Sequence, residues 1–189
     1  GRLDYSTLEM IEIEREKPDV MILQCRYTDN SIDEMTRFKR LSNARRIYEI
    51  DDYIIEVPEK NAHARNIPAN MRELVTQGIA LCDRVVVSTQ PLADALSSMH
   101  HDIGVAPNML AAPLWAGLAS DRQTSARPRV GWAGGTSHRG DLELLLDVIK
   151  ALADEVDWVF FGMCPDALRP YVKEFHKGVA LASYPQKLA

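Results

Sequence analysis

Apolar residues fall along this 189-residue chain in two alternating patterns. Short continuous runs of strand length recur at Asp19-Val-Met-Ile-Leu-Gln-Cys25, Arg45-Arg-Ile-Tyr-Glu-Ile50, Arg84-Val-Val-Val-Ser88, Ile103–Ala106, Val130-Gly-Trp132 and Asp157-Trp-Val-Phe-Phe161. Between them lie stretches with helical spacing: Thr7–Lys17, which Pro18 stops, then Ile32–Leu41, Ala69–Cys82 and Pro91–Met99. The last of these has proline near its first turn, where the missing N–H costs nothing. After Asp141 comes the strongest periodicity, with Leu142, Leu145, Leu146, Ile149 and Leu152 predicted on one helix face. Strands separated by helices predict parallel βαβ units, and the run-like strands predict sheets covered on both faces.

The alternation lapses around Ala111–Pro128, where Pro113, Gly117, Ser120, Ser125 and Pro128 cluster. The chain therefore reads as α/β with two Rossmann-like units: residues 1–111, a linker at 112–128, and residues 129–189. The second unit shows only two or three strands, few for an independent doubly wound sheet, so its sheet reads as incomplete at Ala189.

Composition narrows the function classes. Hydrophobic residues make up 46% and charged residues 26% of the chain, as in ordinary globular proteins. With a net charge of −5 and no basic stripe, the sequence argues against a nucleic-acid partner. No apolar run approaches the roughly 18 residues of a membrane span, and the first residues carry no signal-peptide core. Three widely spaced cysteines, Cys25, Cys82 and Cys164, sit beside apolar segments and read as reduced thiols of a cytoplasmic protein. Their odd number and wide spacing argue against disulfides and against a metal site at the cysteines.

The chemistry concentrates in Arg129-Val-Gly-Trp-Ala-Gly-Gly-Thr-Ser-His-Arg-Gly-Asp141. A strand runs into Gly134-Gly135 and a polar loop feeds a helix start. Unpaired backbone N–H groups and the helix dipole there suit a phosphate, and Arg139 could add a bidentate contact to a diphosphate. An ordinary tight turn with Asp141 as N-cap accounts for the spacing equally well. His138 reads either as a donor to phosphate or as an exposed turn residue. Asp51-Asp52 closes a strand at the end where α/β sheets bind ligands, or caps the next segment. Ser88-Thr89 serves as N-cap or ligand contact, and His63 falls in an irregular stretch between Pro58 and Pro68. No Gly-x-Ser-x-Gly elbow and no strict Gly-x-Gly-x-x-Gly fingerprint occurs, which argues against a serine hydrolase and a dehydrogenase.

Taken in order, several of these segments resemble the GT-B glycosyltransferases, specifically the retaining, nucleotide-sugar-dependent group 1. The matching pieces are Tyr48-Glu-Ile-Asp-Asp52, Ala80-Leu-Cys-Asp-Arg-Val-Val-Val-Ser-Thr89, Val105-Ala-Pro-Asn108, Val130-Gly-Trp-Ala-Gly-Gly135 with Arg139-Gly140, and Asp157-Trp-Val-Phe-Phe-Gly162. The resemblance implies an N-terminal acceptor-side domain followed by the first half of a nucleotide-sugar-binding domain. It implies transfer of a sugar from a nucleotide-diphosphate donor to a hydroxyl of a glycan, lipid or small acceptor. The nucleotide sugar is substrate, no cofactor is implied, and the resemblance argues against a metal at Asp51-Asp52. Gly134, Gly135, His138, Arg139 and Gly140 would form the donor diphosphate loop, and Asp51, Asp52, His63 and Ser88 the acceptor-side cleft. No residue is assigned as catalytic. Whether a membrane surface or a partner domain presents the acceptor stays open.

The sequence departs from that family at two places. Gly134 stands where the family commonly has an arginine, and the family's paired glutamates would fall after Ala189. A non-catalytic GT-B-like binding domain and a nucleotide-sugar epimerase are therefore the alternatives.

Overall fold

The computed structural model describes residues 10–61, 64–119 and 126–189. Among the described residues the protein is α/β with two all-parallel sheets, one of four strands and one of three. The chain divides into two compact units, Gly1–Glu56 with Ile67–Asn108 and Val57–Asn66 with Met109–Ala189.

In the first unit, helix α1 (Met10–Glu16) ends as Lys17 turns to φ 44 ahead of Pro18. Strand β1 (Val20–Gln24), helix α2 (Asp29–Leu41), strand β2 (Arg45–Ile50), helix α3 (Met71–Ala80), strand β3 (Arg84–Val87), helix α4 (Gln90–Leu96) and strand β4 (Ile103–Val105) follow. Helix α2 starts before its apolar pattern does, because Thr28 caps it. The Thr28 hydroxyl accepts from the Ser31 amide at 3.2 Å, and the Ser31 hydroxyl accepts from the Thr28 amide at 2.9 Å. At α4 it is Thr89, not Ser88, that caps, accepting from the Leu92 amide.

The strands lie in chain order, β1-β2-β3-β4. With the usual right-handed crossovers, that order places the connecting helices α2, α3 and α4 on one face. Met21, Leu23, Tyr48, Ile50, Val85 and Val87 fill that face, packed with Met35, Phe38, Val75, Ile79, Leu92 and Leu96. The alternate positions do not share this burial: Val20 is 48% and Ile22 is 65% exposed. The expectation of a sheet covered on both faces is thus corrected for this unit, and the strand order is the reason. Tyr48, fully buried, donates a hydrogen bond from its hydroxyl to the Arg26 carbonyl at 2.9 Å.

In the second unit, helix α5 (Ala112–Trp115) lies inside the stretch read as linker. Strand β5 (Arg129–Gly134) leads through a 3-10 turn (Thr136–His138) into helices α6 (Arg139–Leu144) and α7 (Leu146–Ala151). Strands β6 (Asp157–Gly162) and β7 (Glu174–Lys177) and helix α8 (Tyr184–Leu188) complete it, with sheet order β5-β6-β7. The core joins Leu142, Ile149, Phe160, Met163 and Leu168. Across the sheet, Phe161 stacks on Tyr184 at 5.3 Å, and Trp115 meets the same ring edge-on at 6.1 Å. Trp132 packs against Phe160 at 5.6 Å.

The single helix expected over Leu142–Leu152 is broken. The Leu145 amide bonds back three residues to Leu142 at 3.1 Å, which tightens the turn and leaves Leu145 47% exposed. Leu142 and Ile149 still reach the core. No described helix is long and apolar enough to cross a membrane.

Candidate functional site

The glycine-bearing segment sits where the sequence places it, at the carboxyl end of β5. Gly134 is the strand's last residue and pairs with Gly162 of β6. Gly162 takes φ 97, and a Cβ there would run into the Gly134 carbonyl oxygen, so this crossing of β5 and β6 requires glycine. Gly134 itself is walled in by Trp132: a Cβ on it would lie 2.6 Å from the indole Cζ2. A side chain at the position that carries arginine in the resembling family therefore requires the Trp132 indole to move.

Beyond Gly135 the 3-10 turn brings the His138 amide to the Gly135 carbonyl at 3.2 Å, and Arg139 opens α6. Arg139 faces Glu143 at 3.9 Å, a half-exposed pair loose enough to leave the guanidinium available. Asp141 makes no N-cap bond, because the helix begins two residues earlier and its carboxylate is engaged elsewhere. One oxygen receives the Lys60 ammonium at 2.7 Å, and the other lies 3.1 Å from His138 Nδ1. The hydrogen bond from Lys60, and then the one from His138, hold its carboxyl below the usual range. Gly140 lets Lys60 come this close, since a Cβ there would sit 2.6 Å from the Lys60 carbonyl oxygen.

In the first unit, Asp51 and Ser88 meet although they lie 37 positions apart: the Ser88 hydroxyl donates to the Asp51 carbonyl at 2.7 Å. That bond ties the ends of β2 and β3 together and commits a hydroxyl that is itself buried. The Cys25 thiol lies 4.0 Å from Asp51 Oδ1, and the Asp52 carbonyl accepts from the Ile54 amide. Glu49, inside the quoted Tyr48–Asp52 motif, adds a carboxyl whose Oε2 is buried without a hydrogen-bond partner. Burial, and next the Asp51 charge, raise its pKa. His63 lies outside the described residues. Lys60 and Glu49 were not singled out by sequence spacing. Glu49 was legible as a carboxyl at a strand's ligand-binding end, whereas only the fold brings Lys60 to Gly140.

No protein-family model matches the chain, and no curated protein matches it. Among solved structures it is similar to one assigned as a UDP-N-acetylglucosamine 2-epimerase from Listeria monocytogenes, with TM-score 0.54 and 13% identity. The match covers 93% of this chain and 51% of that one, so the chain spans about half the length of that neighbour. At that identity the likeness is one of fold. It supports a GT-B-like fold and does not extend to the group 1 glycosyltransferases.

Proposed function

We propose that the second unit binds the diphosphate of a nucleotide sugar at Gly134–Gly140, as part of a sugar-nucleotide-processing enzyme of GT-B-like fold. The observation that carries this is the run from β5 through the glycines and a 3-10 turn to Arg139 at the start of α6. Arg139 offers the planar fork that matches phosphate oxygens, His138 adds a ring donor, and the turn amides add weaker ones. Such donors stabilise a departing nucleoside diphosphate, which is where charge develops when a glycosidic bond to phosphate breaks. Glycosyl transfer to a hydroxyl acceptor is our first reading. Asp51 and Asp52 are the acceptor-side candidates in the first unit. Ser88 enters that proposal as the residue that holds Asp51 in place.

The epimerase reading has two supports. The fold neighbour is assigned that activity, and His138 with Asp141 forms an imidazole–carboxylate pair of the kind used in proton transfer.

Ligand-observed NMR of this chain with UDP, GDP, dTDP and their sugars, run beside Arg139→Ala, tests the site. Binding that the substitution abolishes supports the diphosphate loop, and binding that survives it refutes the loop. Incubating the nucleotide sugars without acceptor separates the chemistries, because an epimerase changes the sugar alone and a transferase does not.

A further inference from the structure

We propose that Lys60 is a second phosphate-binding cation of the loop, kept in place by Asp141 until a diphosphate takes over as its partner. This rests on reading Gly134–Gly140 as the diphosphate site. A diphosphate carries more negative charge than one guanidinium balances, and within the loop itself Arg139 is the one permanent cation. Lys60 arrives from a distant part of the chain and belongs to the same compact unit. Its segment rests directly on the loop: a Cβ at residue 140 would lie 2.6 Å from the Lys60 carbonyl oxygen and 2.8 Å from its Cβ. The approach is held by a turn in which the Asn61 amide donates to the Pro58 carbonyl at 2.9 Å.

Asp141 then sets Lys60 and His138 side by side. The ammonium sits 2.7 Å from one carboxylate oxygen and the imidazole Nδ1 3.1 Å from the other. All three side chains are about half exposed. An ion pair that wet is weak, so an incoming phosphate can replace the carboxylate at little cost. Asp141 is in this account the resident partner that a phosphate displaces, and Lys60 the residue that binds it.

Inorganic pyrophosphate, whose affinity is independent of any base or sugar, is the probe. It is titrated calorimetrically at two salt concentrations into the wild-type chain, Lys60→Met, Lys60→Arg, Asp141→Asn and Arg139→Ala. Lys60→Met is expected to weaken binding about tenfold and to flatten its salt dependence, as the loss of one charge-assisted contact does. Lys60→Arg is expected to stay within about threefold of wild type, since a cation is retained. Asp141→Asn is expected to bind no more weakly than wild type, because it removes the competitor. If Arg139→Ala loses pyrophosphate and Lys60→Met binds it with wild-type affinity and salt dependence, the role of Lys60 is overturned and the loop reading stands. If the wild-type chain binds no pyrophosphate, or Arg139→Ala binds it undiminished, both fall.

Discussion

The indole of Trp132 lies across Gly134, with Cζ2 2.6 Å and Cη2 3.0 Å from where a Cβ on residue 134 would stand. The two residues are same-face neighbours on β5, and the ring packs against Phe160 of β6 at 5.6 Å. A side chain at residue 134 therefore has to displace the indole. Gly134→Ala is expected to destabilise the second unit by about 1–3 kcal/mol, because the indole must leave its rotamer. Combining it with Trp132→Leu should cost less than the two single changes together, since the smaller side chain relieves the clash. Urea midpoints followed by tryptophan fluorescence measure both. Strict additivity would show that the contact is not the cause.

Tyr48 illustrates the reverse situation, a polar atom at the centre of a core. Its side chain is fully buried between the sheet and α3, where a Cβ on Gly78 would stand 2.8 Å from its ring. The hydroxyl has the Arg26 carbonyl as its partner, and burial pushes the phenol pKa well above its ordinary range. Tyr48→Phe leaves that carbonyl unpaired without changing the packing. The expected loss is about 1–2 kcal/mol, seen as a lower midpoint for the first unit. An unchanged midpoint would mean that water reaches Arg26.

Much of this architecture is legible in the sequence, because it depends on local pattern. The β-branched run at Val85–Val87 and the glycines at 134, 135 and 162 announce strands and turns by residue type. The strand order is not local. Nothing in the apolar runs of β1 and β2 distinguishes a sheet covered on both faces from one whose crossovers all fall on one side. The periodicity of Leu142–Leu152 is real, yet it does not encode the tightened turn at Leu145, which one backbone hydrogen bond decides. The tight-turn alternative makes Asp141 an N-cap, since an acidic residue precedes a leucine-rich stretch. The helix starts earlier, and the carboxylate bridges to a lysine 81 positions away. Lys60 lies in a stretch without periodicity, so spacing carries no sign of its partner.

Asp83 gives the first unit a pH dependence. It accepts the Arg46 amide at 2.7 Å and the Arg46 guanidinium at 2.8 Å, clamping the start of β2 to the loop before β3. The backbone hydrogen bond from Arg46, assisted by the guanidinium, lowers its pKa below the ordinary carboxylate value. A group depressed in the folded state adds stability that is fully present above its unfolded pKa, about 3.9, and is lost as pH falls through the folded one. Asp83→Asn should therefore be less stable than wild type at pH 7, and the gap should close below about pH 4. The side chain is 41% exposed, so solvent screening limits the difference to about 1 kcal/mol. Thermal melts of both proteins from pH 7 to pH 3 test this, and a gap that does not change with pH would contradict it.

The three cysteines should behave as packing groups. None is disulfide-bonded; Cys82 is buried, and Cys25 and Cys164 are partly so. Burial pushes Cys82 up to about 12, with Arg46 pulling weakly against it. Burial and then the charges of Asp51 and Glu49 push Cys25 up to about 11. Burial also raises Cys164, whose thiol donates to the Pro165 carbonyl at 3.6 Å. Only the thiolate attacks a disulfide reagent, so at pH 8 a thiol titrating near 11 reacts through about one molecule in a thousand, against roughly a quarter for an ordinary cysteine. Native protein mixed with an aromatic disulfide at pH 8 should release its chromophore more than about tenfold more slowly than the same protein in denaturant. The native rate should climb steadily with pH toward 11. A fast stoichiometric burst would mean that a low-pKa thiolate is present, and mapping it to Cys25 would turn attention to the carboxyl end of the first sheet as a reactive site.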